Sequence, residues 1–236
     1  MPGLGARLGR GGATTFLQNL AESDCVVVMG ANMAENHPVG FRFVVEARER
    51  GATVVHVDPR FTRTSALADL HLPIRAGSDL VLLGGLISAV IERRLYNPEY
   101  VRHYTNAASL VGEAFGDTDD LAGLFSGFQE GDRTYDTSSW ALVGRHGDEP
   151  SRAIDAESYE QRSGAKTDAE DGTLTDPRCV FQVLRRHFVR YTPEVVQRLC
   201  GIVPDQFERL LAAIADNSTP ERTTAFCYSV AWTQHT

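Results

Sequence analysis

Cys25-Val26-Val27-Val28-Met29-Gly30 opens into Ala31-Asn32-Met33-Ala34-Glu35-Asn36-His37-Pro38, and a second run, Val54-Val55-His56-Val57, ends in Asp58-Pro59-Arg60. Both runs are short and β-branched, and they are separated by a helix-length segment. Pro38 suits the first turn of that helix, where a missing N–H costs little, and Gly51 suits its C-terminal stop. Strand, helix and strand in this order read as a βαβ unit, whose strand-end loops form a common nucleotide-binding crevice. The unbroken valines predict a parallel strand covered on both faces.

Outward from this unit, Thr14–Ala21 reads as a short helix with Phe16, Leu17 and Leu20 on one face. Leu72-Pro73-Ile74 is a brief third strand, placed near a sheet edge by its proline. Leu80–Arg93 is a strongly apolar helix, and Asp79 before it suits both cap and dipole. Asn97-Pro98-Glu99 starts another helix. The stretch at about 112–176 is acidic, loop-rich and poor in large apolar residues, so it reads as a polar, partly disordered insertion. Helices return at Pro177–Val189, after Thr192-Pro193 and at Pro204–Ala215, and a last strand covers Thr224–Val230. The sum is an α/β chain: a doubly wound, mainly parallel sheet with helices on both faces, in a single lobe over 1–236 carrying the loop-rich insertion.

Composition narrows the function. The chain has 236 residues, is 42% hydrophobic and 23% charged, and carries a net charge of -8, which argues against nonspecific nucleic-acid binding. Cys25, Cys179, Cys200 and Cys227 form no C-x-x-C pair, which argues against a zinc or iron–sulfur site built from this sequence. Cys25, inside a strand pattern, reads as a small core residue. His37, His56, His71, His103, His146, His187 and His235 show no close pair at metal-ligand spacing. The first residues hold no signal-peptide core, and as written the chain reads as cytoplasmic.

Three loops carry the candidate chemistry. The first lacks the glycines of the dinucleotide fingerprint, having only Gly30, but Asn32 and Glu35 stand at a strand end where a crevice would open. They serve equally well as turn and helix-entry residues. In the second, Asp58 occupies the place where nucleotide folds set a carboxylate against ribose hydroxyls, with Arg60 and Arg63 in reach of phosphate; the alternative is a turn cap beside solvated arginines. The third is Gly77-Ser78-Asp79. A carboxylate there can accept from both N1–H and the exocyclic amine of guanine, a pair that adenine and cytosine do not offer. No P-loop, G-x-S-x-G elbow or H-E-x-x-H motif occurs, so the loops make a binding lobe rather than a self-contained catalyst.

These loops, with Gly9-Arg10-Gly11-Gly12-Ala13-Thr14, Asp58-Pro59-Arg60-Phe61-Thr62-Arg63-Thr64, Pro73-Ile74-Arg75-Ala76-Gly77-Ser78-Asp79, Gly123-Leu124-Phe125-Ser126-Gly127-Phe128, Ser138-Ser139-Trp140, Tyr191-Thr192-Pro193-Glu194 and Trp232-Thr233-Gln234-His235-Thr236, resemble the catalytic subunit of formate dehydrogenases in the molybdopterin oxidoreductase family. The resemblance runs nearly end to end, outside a longer polar stretch at about 144–172. It implies a Rossmann-like lobe that binds the guanosine diphosphate arm of molybdopterin guanine dinucleotide, with molybdenum or tungsten. Carried over by matching position, Gly30, Asn32, Met33, Ala34, Glu35 and Asn36 line the first loop, and Asp58, Pro59, Arg60 and Thr62 the second. Gly77, Ser78 and Asp79 hold the guanine end, while Val230 and Gln234 approach from the last loop. The family implies formate as substrate, a 4Fe-4S cluster in the full-length enzyme, an iron–sulfur electron-transfer subunit and a membrane cytochrome subunit as partners, in a cytoplasmic or exported setting. The family's four-cysteine cluster motif and its metal-ligating selenocysteine or cysteine have no match here. The match therefore reads as a fragment, inactive alone, whose Met1 follows an upstream UGA codon; transcript sequence read in frame above Met1 tests that. A nitrate-reductase-like relative and a standalone guanine-nucleotide module are the alternatives.

Overall fold

The computed structural model describes residues 12–143 and 169–233. Gly9-Arg10-Gly11, the centre of the polar stretch at 144–168, and Gln234 lie outside the described residues. The described chain divides into two compact units, one from residues 15–96 and 188–233, the other from residues 12–14, 97–143 and 169–187.

The first unit is built on a four-stranded parallel sheet. Strands β1 (Cys25–Met29), β2 (Thr53–Val57), β3 (Leu70–Leu72) and β6 (Thr224–Tyr228) lie in the order β3-β2-β1-β6. All five residues of β1 are buried, as a strand covered on both faces requires. Alternate side chains feed two cores. Cys25, Val27, Met29, Val55 and Val57 join Leu82, Leu86, Val196, Phe207 and Leu210 on one face. Val26, Val28 and Val54 join Met33, Phe41, Val44 and Ala47 on the other. The covering helices are α2 (Pro38–Glu49) on the second face and α4 (Asp79–Glu92), α7 (Pro193–Cys200) and α8 (Pro204–Ala215) on the first. Full burial of a side chain such as Phe207 or Leu82 contributes about 1.5–3 kcal/mol.

The end signals act as the sequence implies. Pro38, Pro193 and Pro204 start their helices, Thr192 accepts from Val195 N, and Gly51 and Gly201 take positive φ after α2 and α7. Some boundaries differ. The third strand is Leu70–Leu72 rather than Leu72–Ile74, because Val55 to Val57 pair with Leu70 to Leu72 and Pro73 has no N–H to extend the ladder. The segment before β1 is a 3-10 helix over Leu17–Glu22; of Phe16, Leu17 and Leu20, the residues expected to share a face, only Leu20 is buried, while Phe16 and Leu17 are exposed. Ser78, not Asp79, is the cap residue of α4, and Asp79 is its first helical residue.

The second unit includes α5 (Pro98–Tyr104), the hairpin β4 (Phe128–Gln129) with β5 (Thr134–Tyr135), and α6 (Val180–Phe188) at the unit's end. Residues 112–143 and 169–176 of the stretch expected as a polar insertion fall here. Phe125 packs edge-on to Tyr135 and Trp140, and the Trp140 indole donates to Ser126 O at 2.9 Å. Asp171 accepts from Thr173, Thr175 and Asp176, a turn whose backbone donors hold its carboxyl well below the usual range. Among the described residues, no helix is long and apolar enough to cross a membrane.

Candidate functional site

Register fixes where the loops emerge. Met29 sits opposite Val57 and Tyr228, and Val57 opposite Leu72, so all four parallel strands finish level at one edge. The chain leaves β1 towards β2, whereas β6 lies on the other flank of β1. The strand order thus reverses beside β1, which makes the edge above it a topological switch point, the usual ligand crevice of such sheets. Gly30 stands at this point with φ +62°, its N–H donating to Val57 O at 3.0 Å. A Cβ there would lie 2.3 Å from Ala231 Cβ, so the exits of β1 and β6 meet closely enough that only glycine fits.

The first loop is the single-turn helix α1 (Met33–Asn36), entered through Asn32. Asn32 Nδ2 donates to Glu35 Oε2 at 2.5 Å, and Arg63 Nε stands 3.6 Å from Glu35 Oε1. Met33 points into the α2-side core, and Ala34 N donates to Thr64 Oγ1 at 3.0 Å. Asn36 Oδ1 is 2.7 Å from His37 Nδ1. Asn32 and Glu35 therefore spend part of their polarity on each other and on the second loop.

In the second loop Asp58 is buried, and its Oδ1 accepts from Arg60 N at 2.8 Å, closing the turn that Pro59 begins. Oδ2 lies 4.0 Å from His56 Nε2, beyond hydrogen-bond reach. His71 Nε2 donates to Asp58 O at 3.0 Å, holding the turn from β3. Thr62 caps α3 (Arg63–Ala66) through its backbone, donating its N–H to Ser65 Oγ at 2.8 Å, while its buried Oγ1 has no partner among the described residues. The Arg60 side chain is exposed and carries no ion pair among the described residues.

The third loop turns at Gly77, φ +78°. Ser78 Oγ donates to Arg75 O at 2.7 Å, and Arg75 N donates to Cys200 O at 2.9 Å, tying the turn to the end of α7. Cys200 Sγ donates to Ser78 O at 3.4 Å, and burial raises its thiol pKa. The half-buried Asp79 carboxylate receives no hydrogen bond among the described residues. Val230 begins the short helix α9 (Val230–Thr233) after β6, whose Trp232 stacks on Tyr228 at 4.7 Å. The buried Trp232 Nε1, like Thr62 Oγ1, has no partner among the described residues.

Sequence reasoning missed the residues that join these loops. Thr64 Oγ1 donates to Asn32 Oδ1 at 3.0 Å while accepting from Ala34 N, and His56 links Ala31 O to Ser65 Oγ. Their partners are 25 to 32 residues away or on another element, which spacing does not reveal; the run Thr62-Arg63-Thr64 was the available signal. The cysteines are free thiols, and burial pushes Cys25 and Cys227 up to about 11, so neither is a nucleophile at neutral pH.

Comparison with known proteins places this architecture. The molybdopterin oxidoreductase family model matches residues 9–131. The nitrate-inducible formate dehydrogenase major subunit of Escherichia coli (strain K12) is 43% identical over 99% of this chain and 21% of its own length. Formate dehydrogenase subunit alpha of Megalodesulfovibrio gigas is 37% identical over 97% of this chain and 20% of its own. Formate dehydrogenase 2 subunit alpha (cytochrome c-553) of Nitratidesulfovibrio vulgaris is 36% identical over 99% and 21%. The chain thus spans about a fifth of the length of these relatives. Acetylene hydratase from Pelobacter acetylenicus shares the fold at TM-score 0.52 and 17% identity, over 91% of this chain and 20% of that one. By its family match, its relatives and its sheet, this chain belongs to the molybdopterin oxidoreductase family.

Proposed function

We propose that this chain is the nucleotide-binding lobe of a molybdenum- or tungsten-dependent formate dehydrogenase, holding the guanosine diphosphate arm of molybdopterin guanine dinucleotide. The observation that carries the reading is the unspent polarity at the switch-point edge. Asp58 Oδ2, the Asp79 carboxylate, Thr62 Oγ1 and Trp232 Nε1 receive or make no hydrogen bond among the described residues. Of these, Thr62 Oγ1 and Trp232 Nε1 are buried outright, while Asp58 Oδ2 and the half-buried Asp79 carboxylate stay open to a ligand. Buried polar atoms without partners are rare in a finished fold, and a bound polar group supplies what they lack. In this reading Asp79 accepts from guanine N1–H and the exocyclic amine, Asp58 Oδ2 accepts from ribose, and Arg60 with the α1 and α3 loops meets the diphosphate. The donor set fits the group.

When bound, the cofactor supplies the metal at which formate loses two electrons and a proton to give CO₂. The residues here hold and orient its nucleotide arm and make no bond to the reacting carbon. In the full-length enzyme a 4Fe-4S cluster, an iron–sulfur subunit and, in a membrane-bound assembly, a cytochrome subunit would carry the electrons away; no residue of this chain is assigned to hold them. The purified, cofactor-loaded chain accordingly gives no formate-dependent dye reduction.

Calorimetric titration of GDP and ADP into the chain and into Asp79→Ala tests the reading. Loss of two hydrogen bonds to a charged group, about 1.5–3 kcal/mol each, weakens GDP binding by about 100-fold or more and leaves ADP unchanged. Equal GDP affinity for both proteins contradicts the assignment of the third loop.

A further inference from the structure

We propose that His56 is a positioning residue that clasps the loop after β1 to the loop after β2, and so sets the spacing of the two walls of the nucleotide site. The proposal rests on the guanine-nucleotide reading. His56 is fully buried on β2, between its register partners Val28 on β1 and His71 on β3. Its Nε2 lies 3.2 Å from Ala31 O, and its Nδ1 2.8 Å from Ser65 Oγ.

The polarity of the clasp follows from its ends. Ala31 O can only accept, so Nε2 carries the ring proton. Nδ1 is then a lone pair and, at 2.8 Å against 3.5 Å for Arg60 O, is the nearer acceptor of the Ser65 hydroxyl proton. That leaves Ser65 Oγ to accept from Thr62 N at 2.8 Å. A continuous chain thus runs from Ala31 through His56 and Ser65 to Thr62, joining both loops that carry candidate ligands. Two titratable groups face the ring: Asp58 Oδ2 at 4.0 Å, which favours the charged form, and His71 at 5.7 Å between ring centroids, which opposes it. Burial outweighs both and favours neutral imidazole, the only state with one donor and one acceptor.

Two near-isosteric substitutions separate the ends of the clasp. His56→Gln offers an amide donor near the Nε2 position and no acceptor near Nδ1. His56→Asn offers an acceptor near Nδ1 and no donor towards Ala31. The full chain is followed by residue-resolved amide hydrogen exchange and by GDP titration. For His56→Gln the Thr62 amide exchanges about tenfold faster while Glu35 and Asn36 keep wild-type rates; for His56→Asn the pattern reverses. Each variant binds GDP about tenfold more weakly, because the free loops must be reordered on binding.

Equal acceleration in both loops for both variants, or in neither, overturns the clasp. So does loop-selective exchange with GDP affinity unchanged. Absence of GDP binding by the wild-type chain overturns the nucleotide reading and this role with it. Normal wild-type binding without loop-selective exchange overturns the clasp alone.

Discussion

Gly30→Ala perturbs the switch point at its tightest place. Two terms set its cost. The φ of +62° is unfavourable for an L-side chain by about 1–2 kcal/mol. The new Cβ would also stand 2.3 Å from Ala231 Cβ, where carbon contacts settle at about 3.5–4.0 Å, so one strand exit must move by roughly 1 Å or more. The β1 exit resists, because Gly30 N is bonded to Val57 O. Overpacking of this kind costs about 1–3 kcal/mol, giving a total of roughly 2–5 kcal/mol. Removing the opposing methyl tests the steric term by itself. With Ala231→Gly, the nearest remaining atoms lie at 3.5 and 3.9 Å, ordinary contacts. The double variant should therefore recover about 1–3 kcal/mol as a favourable coupling, while the φ penalty stays.

Urea unfolding in a Trp140→Phe background reads this out, because Trp232 is then the remaining one of two tryptophans and sits in the affected unit. At a slope of about 2 kcal/mol/M, Gly30→Ala lowers the midpoint by roughly 1–2.5 M. A Gly30→Ala variant within about 0.5 kcal/mol of its parent, or an Ala231→Gly change with no coupling to it, would refute a tight contact between the two strand exits.

Two further outcomes follow from electrostatics. His56 has its pKa lowered below the ordinary 6.5 by burial, so the unfolded chain binds its proton first as pH falls. Its contribution to stability is complete above about 6.5 and declines from there towards the lowered folded value; in pH-dependent urea midpoints, the gap between wild type and His56→Gln narrows below pH 6.5. Arg93 makes a bidentate pair with Glu208 at 2.6 and 2.7 Å, raising the arginine pKa and lowering the carboxylate's, yet both side chains are nearly half exposed. Arg93→Met should therefore lower stability by less than about 1 kcal/mol, and a larger midpoint shift would show the pair shielded from solvent.

The frame of the first unit was legible because local signals and burial agree there. The residues Cys25 to Met29 form β1 with no shift, and Pro204–Ala215 forms α8 with its proline at the start. The third strand slipped by two residues because Leu70, preceded by Asp69, pairs with Val55 only once β2 is in place. Asp69 itself accepts from Val54 N at 2.8 Å and from Arg48, contacts that no local pattern announces. The loops were found as loops, but not their mutual ties through His56, Thr64 and His71. Those ties are side-chain bonds between strand ends, and a sequence shows only the end of each strand in isolation. The second unit was the least legible. Its order comes from aromatic contacts among Phe125, Phe128, Tyr135 and Trp140, at spacings that match neither helix nor strand periodicity.

The most direct test of the central claim is a GDP titration of the isotope-labelled chain followed by amide chemical-shift changes. Binding at the proposed site changes residues 30–36, 58–64 and 77–79, at the edge where the parallel strands end, together with residues 230–234. Shifts centred instead on the cavity lined by Phe41, Val44, Arg48, Thr53 and Asp69, near where β2 and β3 begin, or an unchanged spectrum at saturating GDP, would contradict it.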